Sequence, residues 1–253
     1  MRNHDAGMTR RSVFGLAAVC CCAWSFRPRT VSAQAFGHDR ALNLPKEVLG
    51  IRIPDSALAR GAATLARTES PNFLFNHCMR TFVFAGLAAR RMGRTYDEEA
   101  VFVACALHDL ALMEKYEVAD KTFERAGADF ARGFARAGGF SEERAELVWQ
   151  GIALHTSRVP DGAAFDVKMV QIGAGMDVFG FPPLSEMPWG DVEAVVREFP
   201  RAAFNKAFKD LLVAHGKRRP QHAGENDWIG AFTRAADARE PIVEKFDNSP
   251  WRE

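Results

Sequence analysis

An imidazole and a carboxylate stand side by side in an apolar stretch of this chain, ACALHDLAL at residues 104–112. The His-Asp dipeptide occurs three times, but His4-Asp5 and His38-Asp39 lie among polar residues near the N-terminus. Only His108-Asp109 is surrounded by Val, Phe and Leu side chains. Burying such groups costs free energy unless a partner compensates them, so this copy of the dipeptide requires an explanation.

Two further polar side chains have comparable apolar surroundings. His77 follows Phe73 and Leu74 at helical spacing, and Asp177 lies in QIGAGMDVFG, a run of small and apolar residues. A single histidine on an apolar helix face is more often a hydrogen-bonded core residue than a ligand. Two imidazoles and two carboxylates in one core, however, suit a divalent metal ion of the zinc, iron or manganese type.

This set predicts metal-assisted addition of water. A divalent metal ion lowers the pKa of a bound water molecule toward about 7 and so provides a nucleophile at neutral pH. We predict that the ligands are His77, His108, Asp109 and Asp177, and that Asp109 also takes part in catalysis.

Three more residues are candidates for the site. His155 could orient the substrate or move a proton, and the alternative is a helix-end histidine that interacts with the helix dipole. Thr156 follows it and is assigned to substrate binding. Arg80, one turn after His77, could bind an anionic substrate, but an ion pair with Asp109 is the simpler interpretation.

Helices must position these residues, because convincing alternating strand patterns are absent from the sequence. Capping residues and apolar periodicity predict helices over about 56–67, 71–92, 95–113, 120–138, 141–155, 163–178, 191–215 and 226–238. Thr95, Asp120 and Ser141 are the predicted N-caps of three of them. Residues 178–190, VFGFPPLSEMPWG, form the longest irregular loop and could line a pocket, and the C-terminal tail NSPWRE is also irregular.

The first thirty-five residues have the features of an export signal. A twin-arginine pattern, TRRSVFG at residues 9–15, precedes an apolar run and the small-residue site VSAQA at 31–35. The apolar run is shorter than the roughly 20 residues that cross a membrane. We therefore expect residues 1–35 to be a cleaved signal, the twin-arginine machinery to be a partner, and the product to be periplasmic or secreted without stable membrane insertion. A basic tail before an apolar patch is the alternative.

Residues 36–253 are predicted to form a single all-α domain with an irregular C-terminal tail. Removing residues 1–35 takes away five Arg and one Asp, which leaves 28 basic and 31 acidic residues. A chain so close to neutrality, without a basic stripe, is a poor candidate for nucleic-acid binding. Cys78 and Cys105 lie in apolar helical patterns, which predicts buried thiols rather than a disulfide.

The order of His77, His108-Asp109 and Asp177 on separate helices resembles the HD-domain superfamily of metal-dependent hydrolases over about residues 55–215. The segments FNHCMRTFVFAGLAARR, ALHDLAL, LHTS and GAGMDVFG resemble the cyanamide hydratase type of HD protein. The resemblance implies an all-α HD-domain helical bundle, a zinc ion held by His77, His108, Asp109 and Asp177, and addition of water to a nitrile-like carbon.

Three functional hypotheses follow. The first is a hydratase or hydrolase of a small, neutral nitrile-like or amide-like substrate. The second is an HD phosphohydrolase of nucleotides or other phosphoesters, against which we find no glycine-rich phosphate loop and no dense basic cluster near the motif. The third, from another class, is a non-catalytic helical binding protein in which the polar residues form a structural network.

Overall fold

A short β-hairpin precedes the helices of the described chain. The computed structural model describes residues 42–222, 228–234 and 240–251, which all lie in one compact unit, Ser32–Glu253. Strands β1 (Glu47–Val48) and β2 (Ile51–Arg52) pair antiparallel. The helices that follow are α1 Ala57–Glu69, α2 Asn72–Arg91, α3 Glu98–Leu107, α4 Phe123–Ala137, α5 Glu142–Ala153, α6 Phe165–Phe179, α7 Trp189–Glu198, α8 Phe204–Arg218, α9 Trp228–Arg234 and α10 Pro241–Asp247.

The all-α prediction is confirmed, and local chemistry explains where the helices begin. The side chain of Ser141 caps α5 as predicted, by accepting a hydrogen bond from the Arg144 backbone N–H. The caps predicted for α3 and α4 are wrong by two residues. Asp97, rather than Thr95, accepts the Ala100 N–H, and Thr122, rather than Asp120, caps α4. In both cases the side chain nearer the first turn is the one that reaches its free N–H groups.

The predicted helix over 191–215 is interrupted, because Pro200 ends it. A proline has no backbone N–H and disfavours helical geometry in the residue before it. Phe199 has φ −124° and ψ 84°, α7 ends at Glu198, and α8 begins only at Phe204. This break places Arg201 in a buried position outside any helix.

Two helices at the centre of the bundle position His77 and the His108-Asp109 dipeptide. Every residue of α2 from His77 to Ala89 is buried, and so is every residue of α3 from Ala100 to Leu107. Because a helix that is apolar on all faces has to be surrounded by other elements, these two helices form the interior. The predicted buried thiols are confirmed, since Cys78 and Cys105 are both buried and free.

Helix α6 packs closely against α2 because it presents a glycine at the contact. A Cβ atom built on Gly173 would lie 2.0 Å from the backbone oxygen of Thr81, far inside van der Waals contact. Only a residue without a Cβ allows this approach. The close contact fixes the last turn of α6, and with it Asp177, beside His77.

The predicted signal over residues 1–35 lies outside the described residues and stays a prediction. None of the helices within the described residues is long and apolar enough to cross a membrane. Residues 248–251 have no helix or strand, as expected for the tail, whereas α10 just before them was not foreseen.

Candidate metal centre

The end of α3 brings the His108-Asp109 dipeptide close to His77. Helix α3 ends at Leu107, six residues before its predicted end, and the chain turns at Asp109, which has φ −102° and ψ 7°. The Nδ1 atom of His108 lies 2.9 Å from the backbone oxygen of Cys105, which holds the imidazole against the last turn. Because Asp109 has left the helix, its carboxylate turns to the same side as the His108 ring.

Three ligand atoms converge on one point. Nε2 of His77 lies 3.2 Å from Nε2 of His108 and 3.5 Å from Oδ2 of Asp109, and Nε2 of His108 lies 3.3 Å from that oxygen. In a tetrahedral zinc site with ligand distances of 2.0–2.1 Å, neighbouring ligand atoms are about 3.4 Å apart. The three atoms therefore have the spacing of one face of such a site.

The hydrogen bonds of both imidazoles leave lone pairs at this point. Nδ1 of His77 faces a carboxylate oxygen of Asp177 at 2.7 Å, and Nδ1 of His108 faces a backbone carbonyl. Both partners only accept hydrogen bonds, so we assign the proton of each neutral ring to Nδ1. Each Nε2 then presents a lone pair, and Oδ2 of Asp109 is buried without a hydrogen-bond donor. Three converging electron-pair donors require a cation, so the residues present fit a divalent metal ion.

Electrostatics favour the ligand forms of these residues. Burial lowers the pKa of His77 below its usual 6.5, which keeps the imidazole neutral as a metal ligand requires. Burial by itself would raise the pKa of Asp109, but the imidazoles of His108, His155 and His77 hold the pKa well below its usual range. His77 is therefore favoured as a neutral nitrogen and Asp109 as a carboxylate.

Asp177 lies on the opposite side of the His77 ring. Its carboxylate accepts hydrogen bonds from Nδ1 of His77, from Arg80 at 2.7 and 2.8 Å, and from Arg201 at 3.0 Å. Burial would raise the pKa of Asp177, but the charges of Arg80 and Arg201 hold it well below its usual range. The structure thus brings three of the four predicted ligands together and places the fourth behind His77, so ligation by Asp177 stays a prediction.

Arg80 forms the ion pair that its position predicted, but with a different partner. Its guanidinium binds Asp177 rather than Asp109, and its Nη1 donates to the backbone oxygens of Phe199 and Pro200. The side chain is fully buried and does not line the cavity beside the metal group. Substrate binding by Arg80 is therefore not supported by its placement, because the guanidinium is committed to these contacts.

A cavity of about 420 Å³ opens beside the three ligand atoms. His77, His108, Asp109, His155 and Thr156 line one part of it, together with Gln171. The remaining wall is mostly apolar and includes Ile172, Val178, Phe179, Phe181, Pro182, Phe208 and Trp228. The segment 178–190 contributes Val178, Phe179, Phe181 and Pro182 to this pocket, and the first two of these belong to the end of α6.

His155 is buried next to the ligand group. Its Nδ1 lies 2.6 Å from the backbone oxygen of Ile152, and its Nε2 lies 3.6 Å from Oδ1 of Asp109. Burial lowers the pKa of His155, but the hydrogen bond and charge of Asp109, with the charge of Glu124, outweigh this effect and raise the pKa above 6.5. His155 thus contacts the end of its helix, as expected for a helix-end histidine, and it also faces the cavity, as a role in substrate orientation or proton transfer requires.

Comparison with known proteins agrees with this geometry. Residues 74–174 match the model of the HD domain. The matched segment contains His77, His108-Asp109 and His155 and ends three residues before Asp177.

Two curated relatives belong to the type whose motifs the chain resembles. Cyanamide hydratase DDI2 and cyanamide hydratase DDI3 of Saccharomyces cerevisiae are each 26% identical to it over 184 residues, which is 71% of this chain and 81% of each relative. The match to the HD domain and the group of His77, His108 and Asp109 together support a metal-dependent hydrolase or hydratase.

Sequence reasoning missed residues that complete the site. Arg201 compensates Asp177 across 24 positions of sequence, Glu124 supports Thr156 from α4, and Gln171 joins the cavity wall from α6. Only Gln171 had a usable signal, a polar side chain six residues before Asp177 in the same apolar run. Arg201 and Glu124 lie in segments rich in charged residues, where nothing in the sequence distinguishes a buried ion from a solvated one.

Proposed function

We propose that this protein is a metal-dependent hydratase or hydrolase that adds water to a small, neutral nitrile-like or amide-like molecule, as in the conversion of cyanamide to urea. The observation that carries the proposal is the composition of the cavity. Three metal-ligand atoms lie in one wall, the rest is mainly apolar, and no Lys or Arg is among its described lining residues. A phosphoester is anionic and is normally bound by such cations, so a neutral substrate fits better.

The metal ion would be held by His77, His108 and Asp109. We propose zinc, with iron or manganese as alternatives, because two imidazoles and one carboxylate suit these ions and leave room for water. When bound, the ion supplies an activated water molecule and polarises the substrate. Asp177 would support the site by accepting the Nδ1 proton of His77, which fixes the orientation and tautomer of that ligand.

We propose His155 as the group that moves protons. Adding water to a C≡N bond forms a C–O bond at the carbon and leaves the nitrogen in need of a proton. His155 lines the cavity, and its contact with Asp109 favours the protonated ring. It can therefore protonate the nitrogen and recover a proton from the attacking water, so that the overall reaction neither consumes nor releases protons.

The apolar wall has a complementary role. Side chains such as Phe179, Phe208 and Trp228 carry no charge and exclude bulk water. In such surroundings the interactions of a few polar groups with the substrate are stronger than in water. The cavity therefore suits a small molecule whose reacting carbon is brought to the metal group by shape.

The test combines metal content with substrate choice. The purified full chain, loaded with zinc, iron or manganese, is assayed with cyanamide, small nitriles and phosphoesters, and its metal content is measured by plasma mass spectrometry. We expect one metal ion per chain and hydration of the neutral substrates. His108→Ala should lose both, whereas His222→Ala, which changes a partly exposed histidine outside the cavity, should keep both.

Two results would contradict the proposal. Hydrolysis of phosphoesters with no turnover of cyanamide or nitriles would favour the HD phosphohydrolase. A well-folded chain that binds none of the three metals would favour the non-catalytic binding protein.

We also propose that the enzyme is exported through the twin-arginine machinery after folding. The support is the sequence of residues 1–35, with its arginine pair, apolar run and small-residue site. Replacing Arg10 and Arg11 by Lys should retain the uncleaved chain in the cytoplasm of the native host, as measured by fractionation and intact-mass analysis. Export would be contradicted if the wild-type chain itself is found in the cytoplasm with residues 1–35 still attached.

A further inference from the structure

We propose that Thr156 and Gln171 form a pair of hydrogen-bond acceptors in the cavity wall, and that this pair selects substrates that carry N–H groups. The ligand class is a small neutral molecule with an amino or primary amide group. This inference rests on the proposed function, because it specifies which small molecules the hydratase would accept.

The Thr156 hydroxyl is committed as a donor. Its Oγ1 donates to Oε1 of Glu124 at 2.5 Å, and a carboxylate can only accept. A hydroxyl has one hydrogen and two lone pairs, so the Thr156 oxygen can only accept a hydrogen bond from a ligand. Thr156 lines the cavity, whereas Glu124 does not.

Glu124 is well placed to impose this polarity. It is 8% exposed, and it lies in the first turn of α4, where the helix dipole favours a negative charge. A buried carboxylate needs a hydrogen-bond donor, and the Thr156 hydroxyl provides one. The helix start therefore fixes the direction of a hydrogen bond at the cavity wall.

The amide of Gln171 is oriented in the same sense. Its Nε2 donates to the backbone oxygens of His155 and Ser157. Both are carbonyl oxygens that only accept, so the nitrogen has to face them and Oε1 has to face away. Within the described residues Oε1 of Gln171 accepts no hydrogen bond, and the residue lines the cavity one α6 turn before Gly175.

The Nδ1–H groups of the surrounding imidazoles are already used, and Nε2 of His155 faces Oδ1 of Asp109 at 3.6 Å. The Nδ1 atoms of His77, His108 and His155 face Asp177 and two backbone carbonyls. Among the described lining residues, the indole N–H of Trp228 is buried without a partner. Thr156 and Gln171 therefore add two acceptors to the cavity wall, which favours a ligand with N–H groups over one with none.

Binding of acetamide and N,N-dimethylacetamide to the metal-loaded full chain tests the inference. Both ligands have a carbonyl acceptor, but only acetamide has N–H donors. Dissociation constants are measured by ligand-observed NMR, which requires no turnover. We expect acetamide to bind about 10-fold more tightly in the wild type, the effect of one to two hydrogen bonds.

Four variants separate hydrogen bonding from size. Thr156→Val keeps the shape and removes the acceptor, so the preference for acetamide should fall below about 2-fold, whereas Thr156→Ser should retain it. Glu124→Gln can donate to Thr156 Oγ1 and so release the hydroxyl to donate into the cavity, which should also reduce the preference. Gln171→Leu provides an independent arm if a variant at position 156 or 124 does not fold.

An unchanged preference in Thr156→Val, Glu124→Gln and Gln171→Leu, or no binding of acetamide to the wild type, would overturn the inference. The fate of the proposed function is read separately from the cyanamide assay. If cyanamide is not turned over but the preference for acetamide is present and falls in the variants, only the proposed hydratase function is contradicted. If cyanamide is hydrated but the preference does not change in the variants, only the acceptor pair is contradicted.

Discussion

The two ring nitrogens of His77 face two polar clusters that differ in how their charges are balanced. On the Nδ1 side, Asp177 is surrounded by the guanidinium groups of Arg80 and Arg201. On the Nε2 side, His108 and Asp109 contribute only electron-pair donors, and Oδ2 of Asp109 receives no hydrogen bond. Both clusters are buried, but only the second opens to the cavity.

The difference separates structure from chemistry. The Asp177 cluster is completed by the protein itself, so removing a member leaves an uncompensated buried charge. In the Asp109 cluster three electron-pair donor atoms face one point, and a cation from outside the chain would compensate them. Substitutions on the Nδ1 side should therefore mainly lower the free energy of unfolding, and substitutions on the Nε2 side should mainly lower metal affinity.

The largest effect is expected from Asp109→Asn. The new amide keeps the shape of the side chain and can donate to an imidazole nitrogen, so metal affinity should fall more than about 100-fold while the metal-free chain stays as stable as the wild type or becomes more stable. Plasma mass spectrometry and urea unfolding of the metal-free proteins measure the two quantities. Full metal content in this variant would break the comparison.

Arg80→Met is expected to act on stability. The methionine retains the apolar stem but leaves Asp177 with one arginine fewer, and breaking a buried ion pair costs about 3–5 kcal/mol. Urea unfolding of the metal-free chain should show this loss in full. A variant as stable as the wild type would mean that the Nδ1 cluster contributes no more to folding than a surface pair does.

Asp177→Asn distinguishes a supporting role from ligation. If Asp177 acts by orienting His77, metal affinity should fall about 10–100-fold while one metal ion still binds at saturating concentration. Metal titration with circular dichroism as a check of folding makes the measurement. Complete loss of binding, equal to that of Asp109→Asn, would instead show that Asp177 is the fourth ligand.

The smallest effect is expected at a half-buried ion pair at the start of α3, outside the cavity lining. Arg144 donates to Asp97 at 2.6 and 2.8 Å, and this hydrogen bond lowers the pKa of Asp97 below its usual 3.8. A carboxylate whose pKa is lower in the folded state adds stability above the unfolded value and loses it as the pH falls through the folded one.

Asp97→Asn removes the charge and keeps the helix cap, so it should cost less than about 1 kcal/mol at pH 6. The difference from the wild type should shrink as the pH falls from 6 to 3, as measured by urea midpoints. A stability difference between the wild type and Asp97→Asn that grows toward acid pH would contradict the lowered pKa of Asp97 in the folded state.

The sequence by itself determined the all-α class, the helices that carry the site and the identity of its central residues. His108 and Asp109 were recognisable because they are polar groups in an apolar helix, and such groups need compensation wherever the helix packs. Burial is encoded by neighbouring residues in sequence, so periodicity is enough to find it. The cap at Ser141 was predictable for the same local reason.

Only the tertiary structure decided which partner compensates which group. The sequence pattern predicted a metal ion as the partner of Asp177. In the structure, the break in the helical pattern at Pro200 places Arg201 against Asp177, and Arg80 approaches Asp177 from α2. Glu124 and Thr156, 32 positions apart, meet because α4 and α5 pack together. Coulomb and hydrogen-bond energies depend on distances of a few ångströms between remote segments, and these distances follow from packing, which a linear pattern does not contain.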